Sequence, residues 1–235
     1  MKFNQHYSSS AGNLYEIMSV NGERLLIEAG VVWPKMRRAL NNDLHNIQGC
    51  LLSHEHADHS KAAKDVMKAG IDIYASYGTL RELDLLEERR AKLLRPEKLT
   101  MVGNFSVMPF PVRHDAAEPM GFIIIADNKA LLFLTDTGSL DYTFRTPFEI
   151  VAIECSYNKK YLQKRVDKGE IPKTVAKRLL LNHMEESETL RTLQNFINLD
   201  KCREIHLLHL SADNINKERV KKKFEKELMI ETIII

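Results

Sequence analysis

The chain has 235 residues, with 34 Lys and Arg against 32 Asp and Glu and a formal net charge of +2, so any preference for a nucleic acid or a membrane surface must be local. Cys50, Cys155 and Cys202 are widely spaced and form no C-x-x-C pair, which speaks against a disulfide framework or a thiolate zinc site and fits a reducing cytoplasm. The N-terminal MKFNQHYSSSAGN lacks the apolar stretch of a signal peptide, and no run nears the ~20 apolar residues that span a bilayer, so an unexported protein with no membrane partner is expected.

In chain order, NLYEIMSV and ERLLIEAG flank Asn21-Gly22. Asn-Gly between apolar runs predicts an antiparallel hairpin closed by a type I′ turn, because both residues accept positive φ. A short helix near Pro34 follows, then IQGCLLS as a buried strand and DHSKAAKDVMKAG as a helix, with Asp58 as N-cap and Gly70 just past its end. IDIYAS reads as a strand, residues 79 to 94 as a charged amphipathic helix ended by Pro96, and NFSVMPFPV as an edge-like strand. GFIIIAD and ALLFLTD make a second hairpin, and EIVAIEC is a strand. Two or three basic helices cover 159 to 198, REIHLLHLS is a strand, and a Lys-rich helix precedes IETIII. So many strands and amphipathic helices pack most naturally as two sheets with helices outside, and with no linker in view residues 1–235 are read as one domain.

The stretch LLSHEHADHSKAA puts chemistry on the loop between a strand and a helix. His54 and His56, two apart, can aim their imidazoles at one cation, while Asp58 and His59 lie where the chain turns and can aim at a neighbouring spot. That pattern suggests two cations, whose further ligands must come from other strand ends. His114, Asp136 and His209 each follow a strand in PVRHDAAE, LFLTDTG and LLHLSAD. Each alone would usually be solvated or satisfied by a carbonyl; together with the H-x-H-x-D-H cluster they are candidate ligands.

This series, H-x-H-x-D-H, then a single His, an Asp in TDTG and a His in LHLS, resembles the metallo-β-lactamase superfamily. The resemblance implies an α/β fold, the αββα sandwich of two mixed β-sheets with helices on the outer faces. By position, it implies that His54, His56 and His114 hold one metal ion, Asp58, His59 and His209 the other, and that Asp136 bridges them. Zinc is the default for such an imidazole-rich set, with manganese and iron also open. The Asp58-His59 pair is what the binuclear hydrolases have and the true β-lactamases usually lack. HYSSSAGNLYEI, LTDTG, IECSYN, NHMEE and LLHLSADN further resemble the YycJ-like branch of small nucleases and phosphodiesterases, and more distantly RNase Z and RNase J.

Three features bear on substrate. Between Tyr157 and Asn182, eight Lys or Arg residues, including Lys164 and Arg165, face only Asp167 and Glu170, either as a solvated helical face or as a track for a nucleic-acid backbone. Glu154 and His183 fall where RNase Z-like relatives place a Glu and a His near the scissile phosphate. His183 would then protonate the leaving oxygen while Asp58 orients the attacking water; otherwise His183 caps a helix and Glu154 pairs with a Lys. SSSAGN could contact phosphate or simply turn the chain. The expected activity is phosphodiester hydrolysis of DNA or RNA by metal-activated water. A thioesterase of the glyoxalase II kind, a lactonase, or a non-enzymatic nucleic-acid-binding protein are the alternatives.

Overall fold

The computed structural model describes residues 1–140 and 142–235, and its strands form two mixed β-sheets, of six and seven strands, interspersed with helices. This is the α/β class expected from the sequence. The chain divides into two compact units, Met1–Pro111 with Ala116–Lys129 and Ile235, and Val112–Asp115 with Ala130–Ile234.

In the first unit, β1 (Lys2–Ser9), β2 (Gly12–Met18) and β3 (Arg24–Ile27) form an antiparallel meander. After α1 (Trp33–Ala39), three strands join it in parallel: β4 (Ile47–Leu51), β5 (Ile73–Ala75) and β6 (Ala91–Leu93), giving the order β1-β2-β3-β4-β5-β6. The helices α2 (Ala57–Ser60) and α3 (Ala63–Lys68) lie in the chain between β4 and β5, and α4 (Tyr77–Glu82) between β5 and β6. Leu14, Leu26, Cys50 and Ile73 from the sheet close a dry core with Met36 of α1, Val66 of α3 and Leu80 of α4. Burial of this kind, at roughly 25 cal/mol per Å² of apolar surface, is what holds such short helices in place. Three further strands, β7 (Thr100–Val102), β8 (Phe105–Pro111) and β9 (Met120–Ala126), pair antiparallel. Because β7 covers only Phe105–Val107, Pro109 and Pro111 sit where no donor is needed on that side, so the prolines make half of β8 an edge.

The first unit departs from the sequence-based expectations in four places. Residues 2–9 are a strand, so the serines of SSSAGN divide between β1 and its turn into β2. The Asn21-Gly22 connection is a longer loop, closed by Ser19 N–H to the Glu23 carbonyl at 2.9 Å, and only Gly22 has positive φ (80°), whereas a type I′ turn needs it at both central residues. The helix after the histidine cluster is broken: the N–H of Ala62 is taken by the carbonyl of Ala29, and the His59 carbonyl by the N–H of Ala29, so β3's continuation replaces helical bonds. The N-cap of α2 is therefore His56, and Asp58 lies inside its first turn. Finally, the helix expected over 79 to 94 stops at Glu82. Asp84 takes φ 56°, and Ala91–Leu93 instead pairs in parallel with Ile73–Ala75, so tertiary hydrogen bonding overrides the helical pattern.

The second unit contains four parallel strands, β10 (Lys129–Leu134), β11 (Ile150–Glu154), β12 (Glu204–Leu208) and β13 (Glu231–Ile233). Their interiors, LLFL, VAI and HLL, are buried throughout, as for strands covered on both faces. Between β11 and β12 run α5 (Lys159–Asp167), α6 (Lys173–Asn182) and α7 (Glu186–Asn195), and α8 (Lys217–Leu228) precedes β13. Helices stand where they were expected, α5, α6 and α8 rich in Lys and Arg, whereas α7 carries Glu186 and Glu188 against Arg191 and is not basic. Among the described residues, no helix is long and apolar enough to cross a membrane.

Candidate metal centre

In the first unit, β4 delivers the chain to the histidine loop. Leu52 N–H bonds to the Tyr74 carbonyl, and Ser53 N–H reaches Oε2 of the fully buried Glu28 at 3.3 Å. The Ser53 hydroxyl lies 2.9 Å from His54 Nδ1, which fixes the ring. His54 Nε2 and His56 Nδ1 then come within 3.1 Å of each other. His59 is fully buried, with Nδ1 3.3 Å from Glu28 Oε1 and Nε2 3.1 Å from Asn13 Nδ2. Asn13 also donates to the Asp58 carbonyl at 3.1 Å, so one amide aligns both members of the Asp-His pair. Gly30 completes the seat: a Cβ there would lie 1.6 Å from the Asp58 carbonyl oxygen.

In the second unit, parallel register does the positioning. Leu134 pairs with Ile153 and Glu154 with Leu208, so β10, β11 and β12 end side by side. The residues at or just past those ends are Asp136, Glu154 and His209, all buried. Asp136 (φ 47°) and His209 (φ 54°) are both in the left-handed region, where the chain turns away from the strand. His183, which caps the C-terminus of α6, places Nδ1 2.6 Å from Glu154 Oε1 and 3.7 Å from Asp136 Oδ1. His209 Nε2 lies 3.7 Å from Asp136 Oδ1, and the His183 and His209 rings stack at 5.2 Å. Each of these four residues offers a ligand atom within 4.8 Å of the others.

The electrostatics explain how the group tolerates burial. Glu154 Oε2 accepts the N–H groups of Thr137 (3.0 Å) and Met184 (3.3 Å), and Oε1 faces His183. Burial alone would lower the His183 pKa, but the Glu154 charge and hydrogen bond, aided by Asp136, push it up to about 9. His114 sits close by, its ring 5.5 Å from that of His183. Its Nδ1 donates to the Asn182 carbonyl at 3.2 Å, and burial holds its pKa below the usual value, only partly offset by Asp136. The neutral ring thus turns a lone pair on Nε2 toward Asp115 (3.3 Å) and Asp136 (4.0 Å). A lone pair facing carboxylates is a donor set that a divalent cation would satisfy. Imidazole and carboxylate without thiolate suit zinc or manganese.

Of the residues read as site candidates, the first unit therefore brings together His54, His56, Asp58 and His59, and the second His114, Asp136, Glu154, His183 and His209. Lys164 lines a groove of the second unit. Arg165 does not: it reaches Glu170 (3.0 Å), Asn214 (3.1 Å) and Asp213 (3.4 Å). Sequence reading missed Asn13, Glu28, Ser53 and Gly30. SSSAGN stands out only as a turn or phosphate loop, and the Glu-Ala-Gly after β3 carries no spacing that ties it to a histidine 31 residues on.

Residues 23–194 match the family described as the beta-lactamase superfamily domain, and the chain belongs to that superfamily. Among curated relatives, it is 25% identical to exodeoxyribonuclease YycJ of Bacillus anthracis over 90% of this chain and 83% of that one. It is 26% identical to exodeoxyribonuclease WalJ of Streptococcus pneumoniae serotype 2, over 90% and 82%. In fold it is similar to the metallo-β-lactamase fold protein YhfI of Bacillus subtilis, with a TM-score of 0.75 over 99% of this chain and 95% of that one at 16% identity.

Proposed function

We propose that the chain is a metal-dependent phosphodiesterase acting on DNA or RNA. In this reading residues 1–235 work as one domain in the cytoplasm. His54, His56 and His114 would hold one divalent ion and Asp58, His59 and His209 the other, with Asp136 shared, the ions being zinc, manganese or iron. When bound, such ions activate water and offset charge on the phosphoryl oxygens. Asp58, aligned by Asn13, orients the water. His183, held by Glu154, carries a proton within the acidic group and gives it to the departing oxygen, while Glu154 keeps the imidazolium in place.

The observation that carries this reading is the His183–Glu154 pair, at 2.6 Å beside Asp136: a half-buried acid poised next to a candidate cation site is what a poor alkoxide leaving group needs. The exodeoxyribonuclease relatives favour the same substrate class. The test is metal analysis of the purified chain, followed by assays on bis-p-nitrophenyl phosphate, end-labelled DNA and RNA, a thioester and a lactone. Two ions per chain with phosphodiester hydrolysis is the expected result. Thioester or lactone turnover with inert phosphodiesters, or nucleic-acid binding without turnover, would overturn the proposal.

A further inference from the structure

We propose that a groove in the second unit, at the N-terminal ends of α5 and α7, binds the phosphate backbone of a nucleic-acid strand through Lys159, Lys160 and Lys164. The proposal deepens the phosphodiesterase reading and rests on it. The groove is a cavity of about 770 Å³ whose lining presents five cationic side chains, Lys159, Lys160, Lys164, Arg219 and Lys223, against Glu185 and Glu186.

The two halves of this charge set differ in kind. Glu186 is buried, 1% exposed, and is saturated by Asn158, Lys223 and Arg219. Arg219 and Lys223 are thus spent on an internal clamp between α7 and α8. Glu185 is spent as well, since Oε2 caps α7 at Ser187 N–H (2.7 Å) and Oε1 lies 3.3 Å from Lys159 N–H. No such partner engages the ammonium groups of Lys159, Lys160 and Lys164, and none of the ion pairs among the described residues includes them.

Their placement also opposes the stability of the helix that carries them. Lys159 and Lys160 are the first two residues of α5, where the helix dipole disfavours cations, and its first turn holds no acid. Lys160 and Lys164 stand four apart, a repulsive like-charge spacing. A polyanion relieves both effects at once. Tyr161, 38% exposed, lines the same groove with its ring under the Arg219 guanidinium at 5.9 Å, and offers a face on which a base can stack.

The groove lies close along the chain to the acidic group. Its wall starts at Asn158, four residues after Glu154, and at Glu185, two after His183. The two segments are tied by Ser156 N–H to the Met184 carbonyl at 3.0 Å and by Glu186 N–H to the Tyr157 carbonyl at 2.9 Å. The groove and the Glu154–His183 pair are thus built on the same two hydrogen-bonded chain segments.

The experiment is fluorescence anisotropy of a labelled 15-nucleotide oligothymidylate with the full chain over a range of salt, alongside hydrolysis of bis-p-nitrophenyl phosphate. The triple variant Lys159→Ala, Lys160→Ala, Lys164→Ala should bind at least about 10-fold more weakly. Its slope of log affinity against log salt should be shallower by about 2, the value for three lost phosphate contacts on a single strand. The triple variant Lys221→Ala, Lys222→Ala, Lys226→Ala on α8 removes the same charge elsewhere and should bind within about 2-fold of the unaltered chain. Hydrolysis of the small diester should be unchanged in both. Equal losses from the two triples, or no loss from the first, would overturn the groove while leaving the phosphodiesterase reading intact if the small diester is still cleaved. An unaltered chain that cleaves no phosphodiester would overturn both.

Discussion

Replacing His183 by Ala removes the proposed acid, and the contacts of Glu154 set the scale of the structural damage. Glu154 would lose its 2.6 Å partner but keep the N–H bonds from Thr137 and Met184, so its charge stays solvated by the backbone. Losing one charge-assisted hydrogen bond costs about 1.5–3 kcal/mol. For 235 residues the unfolding entropy is roughly 0.5 kcal/mol/K, so the midpoint should fall by about 3–6 °C and the variant should remain folded at 25 °C. Activity should respond far more. A nucleotide alkoxide cannot leave unprotonated, so turnover of labelled DNA or RNA should drop about 10²–10⁴-fold, or about 2.7–5.4 kcal/mol of barrier. p-Nitrophenolate leaves without a proton, so bis-p-nitrophenyl phosphate should lose less than about 10-fold. Single-turnover rates on both substrates, with metal content measured in parallel, decide the matter. Equal losses on the two, or a loss that tracks missing metal, would refute the acid role.

Gly30→Ala should displace the Asp58 carbonyl that lies 1.6 Å from the new Cβ, lowering metal occupancy and stability together; full metal content by mass spectrometry would refute the seat described for that loop. Glu16 supplies a pH prediction. Burial would raise its pKa, but hydrogen bonds from His6, Arg24 and Asn4 and the Arg24 charge lower it from 4.5 to about 2. The stabilisation is therefore complete above about pH 4.5 and lost as pH falls toward 2, and Glu16→Gln should flatten the acid limb of midpoint against pH; an unchanged limb would refute the assignment. Arg165→Ala should leave oligothymidylate binding within about 2-fold, because Glu170, Asp213 and Asn214 already occupy the guanidinium, and a 10-fold loss would show that it faces substrate.

The site was legible in the sequence where its residues are close together or sit at strand ends. H-x-H-x-D-H is dense enough to be read directly, and Asp136, Glu154 and His209 could be found because apolar runs of strand length stop beside them. Asn13 and Glu28 were not legible. Each touches His59 only after antiparallel and parallel pairing has placed β2 and β3 beside β4, and no local pattern encodes that meeting. The same limit explains the helix expected over 79 to 94. Its charge pattern suits an isolated helix, but the unpaired side of β5 takes Ala91–Leu93 as a strand. Likewise, Lys164 and Arg165 are neighbours in a basic run, yet adjacent helical positions point about 100° apart, so one lines the groove while the other meets an acidic loop.

Three parallel strands carry the acidic group of the second unit at their ends, and the chain between the second and third of them holds α5, α6 and α7. Hydrogen-bonded register fixes Glu154 against Leu208 whatever the length of that crossover. Reactive geometry and substrate handling are thus written in separable parts of the polypeptide. Helices over residues 159–195 could be lengthened, recharged or exchanged with little effect on where the strands carry Asp136, Glu154 and His209; His183, with its neighbours Asn182 and Met184 that bond His114 and Glu154, would have to be rebuilt. An engineer wishing to redirect this scaffold to a different phosphorus or carbonyl substrate should therefore graft at the crossover and leave the strands untouched.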